Sequence, residues 1–374
     1  MKISIIYNDP LQYATGKIYD DGVTDIEQVE EAIDMSEYGV LDEVRSVERA
    51  LKANGNENKF ETKIVPVALD VYKLIDELKD NRPDIIFNLC ESLDGDPVQE
   101  MNIASLFELM KIPYTGNRAL TLGLALNKAR VKEILNYYDI PTSAHYLCSN
   151  SSQFRENGYS KLAQKFPLIV KPSREDASIG IENKSVVYND VELKERIEYI
   201  LDEYKQPALI EQFIDGREIN VSVVGNVDPE TNDENDLIVF PISEIDFSTL
   251  PPEYPKIVSY NSKWMYKTVE FAGSKAVCPA QNLSPELEKK IQDTAKKVYR
   301  IIGASDYARV DFRVKDGIPY VLELNPNPDI ASDVDEDTGF TRSAKAYGWS
   351  YEELIQNIIG YSLKRWKVEE ALVK

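Results

Sequence analysis

The chain has 374 residues, of which 43% are hydrophobic, and 64 Asp and Glu residues against 43 Lys and Arg residues give a net charge of -21 at pH 7. This length allows a sizeable core and favours two or three domains, whereas the negative charge argues against nucleic-acid backbones and anionic membrane surfaces as partners. The sequence shows neither a secretory leader pattern nor an apolar run of roughly 18 residues, so we expect a cytoplasmic protein without membrane contact.

The first third of the chain alternates strand-like and helix-like patterns. An apolar run at residues 2–7 and strand patterns at 62–69 and 84–89 are separated by helical spacing at 44–51 and 71–78. Strands that alternate with helices are typical of a parallel sheet. The sequence therefore predicts an open α/β layer at the amino terminus.

Proline and glycine in IPYTGN mark a domain boundary near residue 118. The acidic, poorly periodic segment Asp9–Tyr38 is interpreted as a long loop or insertion over the sheet edge. Helical spacing follows at 121–138, and strands begin at Phe166 and Ala208. The predicted domains are an N-terminal α/β substrate-side domain at 1–118, a central subdomain at 119–207, and a C-terminal subdomain with a metal site at 208–374.

Cysteine and histidine are too scarce and too scattered to carry the chemistry. Cys90, Cys148 and Cys278 lie far apart in the chain, and His145 is the single histidine. Such spacing argues against structural disulfides and zinc sites. Carboxylates, lysines and arginines are left as the candidate functional groups.

A hairpin pattern follows the helix predicted over Pro285–Ile302, because DYARVDFRV and IPYVLELN flank an Asp-Gly. A three-residue loop at Lys315–Gly317 would place Asp311 opposite Val321, whereas a two-residue loop would turn Glu323 to the other face. With the three-residue loop, the side chains that share one face are Arg309, Asp311, Glu323 and Asn325.

This polar face has two explanations. It is either a solvated outer surface of the hairpin or a magnesium site, since Mg²⁺ takes oxygen ligands from one or two carboxylates together with phosphates and waters. The spacing alone does not separate these explanations.

The segment FPLIVKPSREDASIGI favours the magnesium site, because it could also bind phosphate. Its strand presents Lys171 as a fixed cation, and the small residues of Asp176–Gly180 allow backbone N–H groups to approach phosphate oxygens. It contains no Walker A motif. Further along, Glu211 near a strand end and Glu218 after a turn could accept hydrogen bonds from ribose hydroxyls, or could form surface ion pairs.

These motifs together resemble the ATP-grasp superfamily and, within it, the D-alanine:D-alanine ligases. The similarity covers nearly the whole chain from about residue 84 onward and rests on motifs that occur in the family's order. These motifs are FNLCESLDGD, IPYTGN, ALNKARVKEIL, IVKPSREDASIGI, LIEQFIDGREINVSVV, VCPA, YARVDF and VLELNPNPD.

The resemblance implies an ATP-grasp fold behind an N-terminal α/β domain, and a set of site residues. Two magnesium ions, with Mn²⁺ as an alternative, would be bound by Asp311, Glu323 and Asn325. Lys263 would belong to a mobile loop that closes over the phosphates, and Arg309 would stabilise negative charge on an acyl intermediate. The residues that would contact ATP are Lys128, Lys171, Ser178, Glu211, Phe213 and Glu218.

The departures from the family pattern fall on the amino-acid pockets. Ala177 replaces a serine of the phosphate loop, Trp264 replaces a tyrosine, and Glu91 replaces a histidine. Asp329 stands in the turn after the metal asparagine, and Glu43 is a candidate for the carboxylate that anchors the first amino group. Glu91, Trp264 and Asp329 are therefore the predicted substrate residues.

The sequence thus predicts an ATP-dependent carboxylate–amine ligase that works through an acyl phosphate, with an amino acid or peptide and an amine as substrates. The acidic residues near the acceptor side, Asp333 and Asp335 among them, favour a cationic amine or are a solvated loop. The alternatives are an authentic D-alanine:D-alanine ligase and a non-catalytic ATP-binding module. The resemblance also suggests a homodimer.

Overall fold

The computed structural model describes residues 1–10, 35–53, 59–68, 70–150, 162, 165–228, 236–332 and 338–373. Its N-terminal sheet has the order β2-β1-β3 with all strands parallel, as the alternating pattern predicted. Most of the acidic segment predicted as an insertion lies outside the described residues, but Met35–Tyr38 begins a helix instead of ending a loop. The elements are β1 (Lys2–Asn8), α1 (Met35–Lys52), β2 (Glu61–Val67), α2 (Val71–Asp80) and β3 (Ile85–Leu89).

The helical pattern predicted over 121–138 is two helices, not one. After α3 (Gln99–Leu109), α4 covers Ala119–Leu126 and α5 covers Lys128–Tyr137. The break occurs at Asn127, whose side chain accepts a hydrogen bond from the Arg130 N–H and caps α5. This cap puts Lys128 in the first position of α5.

The central sheet has the order β4-β7-β5-β6, and its strand pairs are all antiparallel. Helix α6 (Asp190–Glu203) packs its buried Leu193, Ile197 and Ile200 on this sheet. Since β7 is an inner strand, this sheet continues five residues beyond the boundary predicted at 207. Its strands are β4 (His145–Cys148), β5 (Leu168–Pro172), β6 (Val186–Val187) and β7 (Ala208–Gln212).

The C-terminal sheet has the order β11-β10-β8-β12-β13, with β9 paired to β8. Helix α9 (Pro285–Ile302) packs on this sheet; Ser284 caps its start and Gly303 its end, as predicted. The remaining elements are β8 (Arg217–Gly225), β9 (Ile238–Val239), β10 (Ser243–Asp246), α7 (Tyr260–Trp264), α8 (Val269–Ala272), β11 (Lys275–Val277), β12 (Asp306–Lys315), β13 (Ile318–Asn325), α10 (Gly339–Tyr347) and α11 (Tyr351–Val373).

The β12–β13 hairpin turns through two residues, not the three on which the shared polar face was expected to depend. Lys315 pairs with Ile318, and the turn consists of Asp316 and Gly317, with φ of 52° and 71°, as an Asp-Gly turn of two residues favours. The shorter turn alone would put Glu323 and Asn325 on the opposite face from Asp311. A β-bulge at Leu322, which has no partner on β12, shifts the register by one residue and returns both side chains to the face of Asp311.

The resulting register keeps the predicted face but changes the predicted partners. Asp311 lies opposite Glu323 and Arg309 lies opposite Asn325, instead of Val321 and Glu323 respectively. Beside the bulge, β13 is also hydrogen-bonded to the segment between α5 and β4, since the Val321 N–H donates to the Pro141 carbonyl at 2.8 Å. All four polar side chains therefore share one face of the hairpin.

Replacing Gly317 with Ala is expected to destabilise the fold by about 1 kcal/mol, because a Cβ is disfavoured at its left-handed φ of 71° although no atom lies within 4 Å to clash with it. Gly339→Ala is the matched control, since it begins a helix and an added Cβ there also meets nothing within 4 Å. Urea unfolding midpoints of the two variants measure the difference. Equal midpoints would contradict the two-residue turn.

Asp306 joins three distant parts of the chain. It is fully buried and accepts hydrogen bonds from the Gly116 N–H at 3.0 Å, Asn226 Nδ2 at 3.1 Å and Ser362 Oγ at 2.5 Å. Arg365 donates to both of its oxygens, from Nε at 3.2 Å and from Nη2 at 2.8 Å. This carboxylate thus ties the end of the N-terminal layer and helix α11 to the start of β12.

Candidate active site

The start of helix α5 places Lys128 between the loop that contains Asp176 and strand β13, which carries Glu323. Its ammonium lies 2.7 Å from Asp176 Oδ1 and 3.1 Å from Glu323 Oε2. Burial disfavours the charge, but Asp176 and Glu323 outweigh it and raise the pKa of Lys128. Conversely, burial opposes ionisation of Glu323, but the Lys128 and Lys171 ammonium groups outweigh it and lower its pKa to about 2. Both groups are therefore charged at neutral pH.

Arg309 and Asp311 form a two-pronged ion pair on β12. Arg309 Nε donates to Asp311 Oδ1 at 2.8 Å, and Nη2 donates to Oδ2 at 2.8 Å. Asn220, opposite Asp311 on β8, adds a hydrogen bond to Oδ1 at 2.7 Å. Fixing a carboxylate by three donors holds it in one rotamer. The pair is therefore oriented before any ligand arrives.

The donor set on this face fits Mg²⁺. Asp311 and Glu323 supply carboxylate oxygens from directly opposite positions, and Asn325 adds an amide beside them. Oxygen donors of this type suit a hard ion that keeps phosphate and water in the rest of its shell. Within the described ranges, no group of three or more His, Cys, Asp and Glu side chains is arranged to hold a metal. A metal here would therefore need oxygens from a bound phosphate.

A buried carboxylate lies beside the phosphate-side lysines. Glu211 on β7 is 1% exposed and lies 3.0 Å from Lys132 Nζ and 3.1 Å from Lys171 Nζ, and Ser143 Oγ donates to its Oε2 at 2.6 Å. Burial works against its charge, but Lys132 and Lys171 prevail and lower its pKa. Its other oxygen, Oε1, accepts no hydrogen bond from the described residues.

Glu218 repeats this pattern on β8, the next strand along the chain, which belongs to the C-terminal sheet. It is buried, pairs with Arg313 across β8 and β12, and its Oε2 accepts no hydrogen bond of good geometry within the described chain. The Arg313 guanidinium also lies 5.6 Å from the Phe213 ring centroid. Glu211 Oε1 lies beside the Lys171 ammonium and Glu218 Oε2 beside the Arg313 guanidinium, but neither oxygen accepts a hydrogen bond of good geometry within the described residues. Such oxygens suit a ligand with amino and hydroxyl groups, and adenosine carries both. The residues present therefore fit a nucleotide.

The segment around the candidate phosphate loop is latched to helix α7. Trp264 Nε1 donates to the Ala177 carbonyl at 2.9 Å, and Ser178 Oγ donates to the Val258 carbonyl at 3.0 Å. Ala177 and Ser178 both have left-handed φ, of 53° and 63°. The ammonium of Lys263 lies 5.0 Å from the Trp264 ring centroid, and burial together with Arg309 lowers its pKa. The loop and α7 therefore form one wall of the site.

A cavity of about 80 Å³ opens inside this wall, several times the space that one water needs. The structure brings together all three predicted substrate residues here with Arg309 and Lys263. Asp333 and Asp335, which sequence reasoning added to this side, lie outside the described residues. The acidic residues that line the cavity are Glu43, Glu91, Glu100, Asp176 and Asp329.

Sequence reasoning missed several residues of this site. Lys132, fully buried beside Glu211, follows Lys128 by one helical turn, and that spacing was a usable signal. Arg313 continues the alternation of Arg309 and Asp311 along β12, and that alternation was a second usable signal. Glu100 and Asn327 gave no such signal, since their contact at 3.1 Å joins segments far apart in the chain.

Comparisons with known proteins find relatives among the D-alanine–D-alanine ligases. The family model described as D-ala D-ala ligase C-terminus matches residues 134–360. The D-alanine–D-alanine ligase of Carboxydothermus hydrogenoformans is 33% identical over 282 residues, which is 73% of this chain and 80% of that ligase. The uncharacterized protein y4sG of Sinorhizobium fredii is 29% identical over 75% of each chain. The ATP-complexed D-alanine–D-alanine ligase from Bacillus anthracis superposes with a TM-score of 0.69 at 24% identity and covers 99% of both chains.

The fold is thus the α/β ATP-grasp fold. The chain belongs to the D-alanine–D-alanine ligase family of the ATP-grasp superfamily, and it is an ATP-dependent ligase that forms carbon–nitrogen bonds and releases ADP. Ligases of this family use ATP with Mg²⁺ and act on small-molecule substrates. In the part of the chain that the structure describes, no helix is long and apolar enough to span a membrane.

Proposed function

We propose that this ligase activates a substrate carboxylate as an acyl phosphate and transfers the acyl group to an amine, with an amino acid or peptide as the carboxylate substrate. The observation that carries the proposal is a single polar face of the hairpin, where Glu323 also contacts the ammonium of Lys128. The side chains of this face are Arg309, Asp311, Glu323 and Asn325. Arg309 and Asn325 of that face also line the cavity of about 80 Å³. Anionic phosphates and carboxylates need such matched cations and metal ligands.

The proposed binding site for the adenosine part of ATP is built around the two buried carboxylates. Glu211 would accept a hydrogen bond from the adenine amino group through Oε1, and Glu218 would accept one from a ribose hydroxyl. Phe213 and Ser178 would also contact the nucleotide. Lys128 would exchange Asp176 and Glu323 for phosphate oxygens, with Lys171 beside it. Both lysines are nearly buried, which strengthens their attraction for phosphate.

Asp311, Glu323 and Asn325 would hold two magnesium ions, or Mn²⁺ in their place. When bound, these ions neutralise charge on the phosphates during transfer. The protein contributes fixed positions, since Asp311 is held by Arg309 and Asn220, while Asn325 Oδ1 accepts the Asn327 N–H at 2.9 Å. Preorganised ligands of this kind avoid reorganisation during the reaction.

The reaction proceeds in two balanced steps. A carboxylate oxygen of the first substrate attacks the γ-phosphorus, the bond to the ADP oxygen breaks, and ADP leaves. The neutral amine of the second substrate then attacks the acyl carbon, the carbon–oxygen bond to phosphate breaks, and the amine nitrogen loses a proton. Arg309 and Lys263, which both line the cavity, stabilise negative charge on the acyl oxygen and the transferred phosphate. The latched α7 wall excludes water, which would hydrolyse the acyl phosphate.

Incubation with ATP, Mg²⁺ and pooled amino acids, amines and short peptides, followed by mass spectrometry, tests this proposal. We expect a product whose mass equals that of two pool members minus water, formed in step with ADP and phosphate. Hydroxylamine added to the first substrate alone should trap a hydroxamate, because it captures an acyl phosphate. ATP binding without any product or hydroxamate would instead support a non-catalytic nucleotide-binding module.

A second candidate is an authentic D-alanine:D-alanine ligase, and the named relatives favour it. Trp264 and Ala177 argue against it, because they occupy positions where the ligases of this family carry other side chains. Here the Trp264 indole donates to the backbone carbonyl of Ala177, so this contact between the loop and α7 uses no side chain of residue 177. D-alanyl-D-alanine as the dominant product of the pooled assay would select this candidate.

A further inference from the structure

The ammonium of Lys132 is surrounded by three oxygen acceptors of the protein itself. It donates to Thr142 Oγ1 at 3.0 Å and to Ser143 Oγ at 3.1 Å, and it lies 3.0 Å from Glu211 Oε2. The side chain is fully buried. An ammonium has three protons to donate, so these contacts leave none for a phosphate oxygen. Lys132 therefore differs from the lysines on the phosphate side of the site.

Stability alone does not explain why an ammonium is buried at Lys132. Burial disfavours its charge and lowers its pKa, although Glu211 acts in the opposite direction. A buried ion pair regains its desolvation cost only with good geometry, and apolar side chains in its place are often as stable. The partner of Lys132 is the carboxylate that is proposed to accept the adenine amino group. A costly charge beside a ligand-binding carboxylate points to a role in orienting that carboxylate.

Lys132 and Ser143 bind the same oxygen of Glu211. Ser143 Oγ donates to Oε2 at 2.6 Å, and the Lys132 ammonium lies beside this oxygen. The other oxygen, Oε1, lies 3.1 Å from Lys171 but accepts no hydrogen bond of good geometry in the part of the chain that the structure describes. Charge-assisted hydrogen bonds to one oxygen fix the rotation of the carboxylate. Oε1 is thereby left as the acceptor that a ligand can reach.

The same ammonium is tied to the strand that carries the metal-side carboxylate. Thr142 accepts from Lys132 and donates through Oγ1 to the Val321 carbonyl at 2.7 Å, and Val321 lies two residues before Glu323 on β13. Thr142 forms no hydrogen bond with Glu211 among the described contacts. A change at Thr142 therefore disturbs Lys132 without removing a partner of Glu211.

We infer that Lys132 is a positioning residue for base recognition, which holds Glu211 in the orientation that presents Oε1 to the adenine amino group. This inference rests on the proposed nucleotide site. It makes the site selective for adenine, because hypoxanthine has a carbonyl oxygen where adenine has the amino group. Two acceptors would then face each other, and no hydrogen bond would form. Without Lys132 the carboxylate turns towards Lys171, and the selectivity falls.

Binding of ADP and of inosine diphosphate (IDP) tests this inference, because the two nucleotides differ in their base. Isothermal titration calorimetry with Mg²⁺ gives both dissociation constants without turnover. We expect the wild type to bind ADP about tenfold or more tighter than IDP, since IDP cannot make the charge-assisted hydrogen bond. Lys132→Met should lower this ratio by about fivefold or more, mainly through weaker binding of ADP. A purely structural loss would weaken both nucleotides alike and leave the ratio unchanged.

Three further variants complete the test. Glu211→Gln should also lower the ratio, because its amide can present an N–H where the carboxylate presents an oxygen. Thr142→Val should lower it to a smaller extent. Arg130→Met is the matched control and should leave the ratio unchanged, since its side chain lies on the exposed side of α5 and pairs only with Glu133 among the described residues.

The outcomes separate the inference from the proposed function. A selectivity that Glu211→Gln abolishes and Lys132→Met keeps would overturn the inference and leave the nucleotide site intact. A wild type that binds ADP and IDP equally would count against Glu211 as the adenine acceptor and would overturn the inference with it. The product assay decides the ligase function independently of both. If Lys132→Met does not fold, Thr142→Val decides, and an unchanged ratio there would overturn the inference.

Discussion

Replacing Glu323 with Gln is expected to lower ATP turnover by at least 10²–10³-fold without unfolding the chain. Glu323 has two roles that an amide replaces poorly. It faces Asp311 across the hairpin as a proposed metal ligand, and it pairs with the Lys128 ammonium at 3.1 Å. Glutamine has nearly the same shape, so the packing of the hairpin should persist. Phosphate release at saturating ATP and Mg²⁺ measures the loss.

Asp316→Asn is the matched control for that variant. It changes another carboxylate of the same hairpin to an amide, but in the exposed turn. We expect its turnover to equal that of the wild type. Full turnover in the Glu323 variant would remove this face from the active site, whereas equal losses in both variants would indicate a general effect on the hairpin.

The pH dependence of stability gives a further readout on Glu323. Its folded pKa of about 2 lies below the ordinary value of 4.5, so its ionisation stabilises the fold fully above that ordinary value. This contribution falls as the pH drops from about 4.5 towards 2. The Gln variant, which has no proton to take up, should lose less stability over this range than the wild type.

Asp306→Ala is expected to cause the largest loss of stability, about 3–5 kcal/mol, because it leaves the buried Arg365 without its carboxylate. The donors from Gly116 and Ser362 lose their acceptor as well. Alanine would also have to adopt the left-handed φ of 62° at this position. Urea unfolding followed by circular dichroism, together with calorimetry, measures the loss.

Asp293→Ala provides the comparison for Asp306. Its ion pair with Lys289 is exposed on the surface of α9, with side chains 60% and 74% accessible, and such pairs contribute little. We expect the midpoint of this control to stay within about 0.5 kcal/mol of the wild type. Similar losses in both variants would mean that Asp306 is an ordinary surface-like carboxylate and does not join the three segments.

The sequence predicted most of what local pattern determines. The parallel N-terminal sheet and the helix from Pro285 to Ile302 were both readable, the latter from its Ser284 cap and its Gly303 end. The break at Asn127 was missed because the apolar spacing runs through it, and only the capping contact with Arg130 marks it. Local periodicity fixes which elements form, but it is a poor guide to where a cap interrupts them.

The candidate site was predicted in part for a similar reason. Arg309, Asp311, Glu323 and Asn325 share a face as a three-residue loop would have placed them, although the turn has two residues, because a bulge compensated for the shorter turn. Glu100 and Asp306 could not be foreseen: each is a polar residue in an ordinary helix or strand, and its partners come from distant segments. Burial of a carboxylate is a property of the assembled fold.

The extra residue Leu322 shows how this site is encoded. Side chains along a strand alternate, so the face that Glu323 shares with Asp311 depends on whether an odd or even number of residues separates them. A two-residue turn with one bulge and a three-residue turn without a bulge satisfy the same parity. Only the parity of the number of residues between Asp311 and Glu323 decides whether their side chains share a face. The turn can therefore lose a residue in evolution, and the strand gain a bulge, without a change in the side chains that face the ligand.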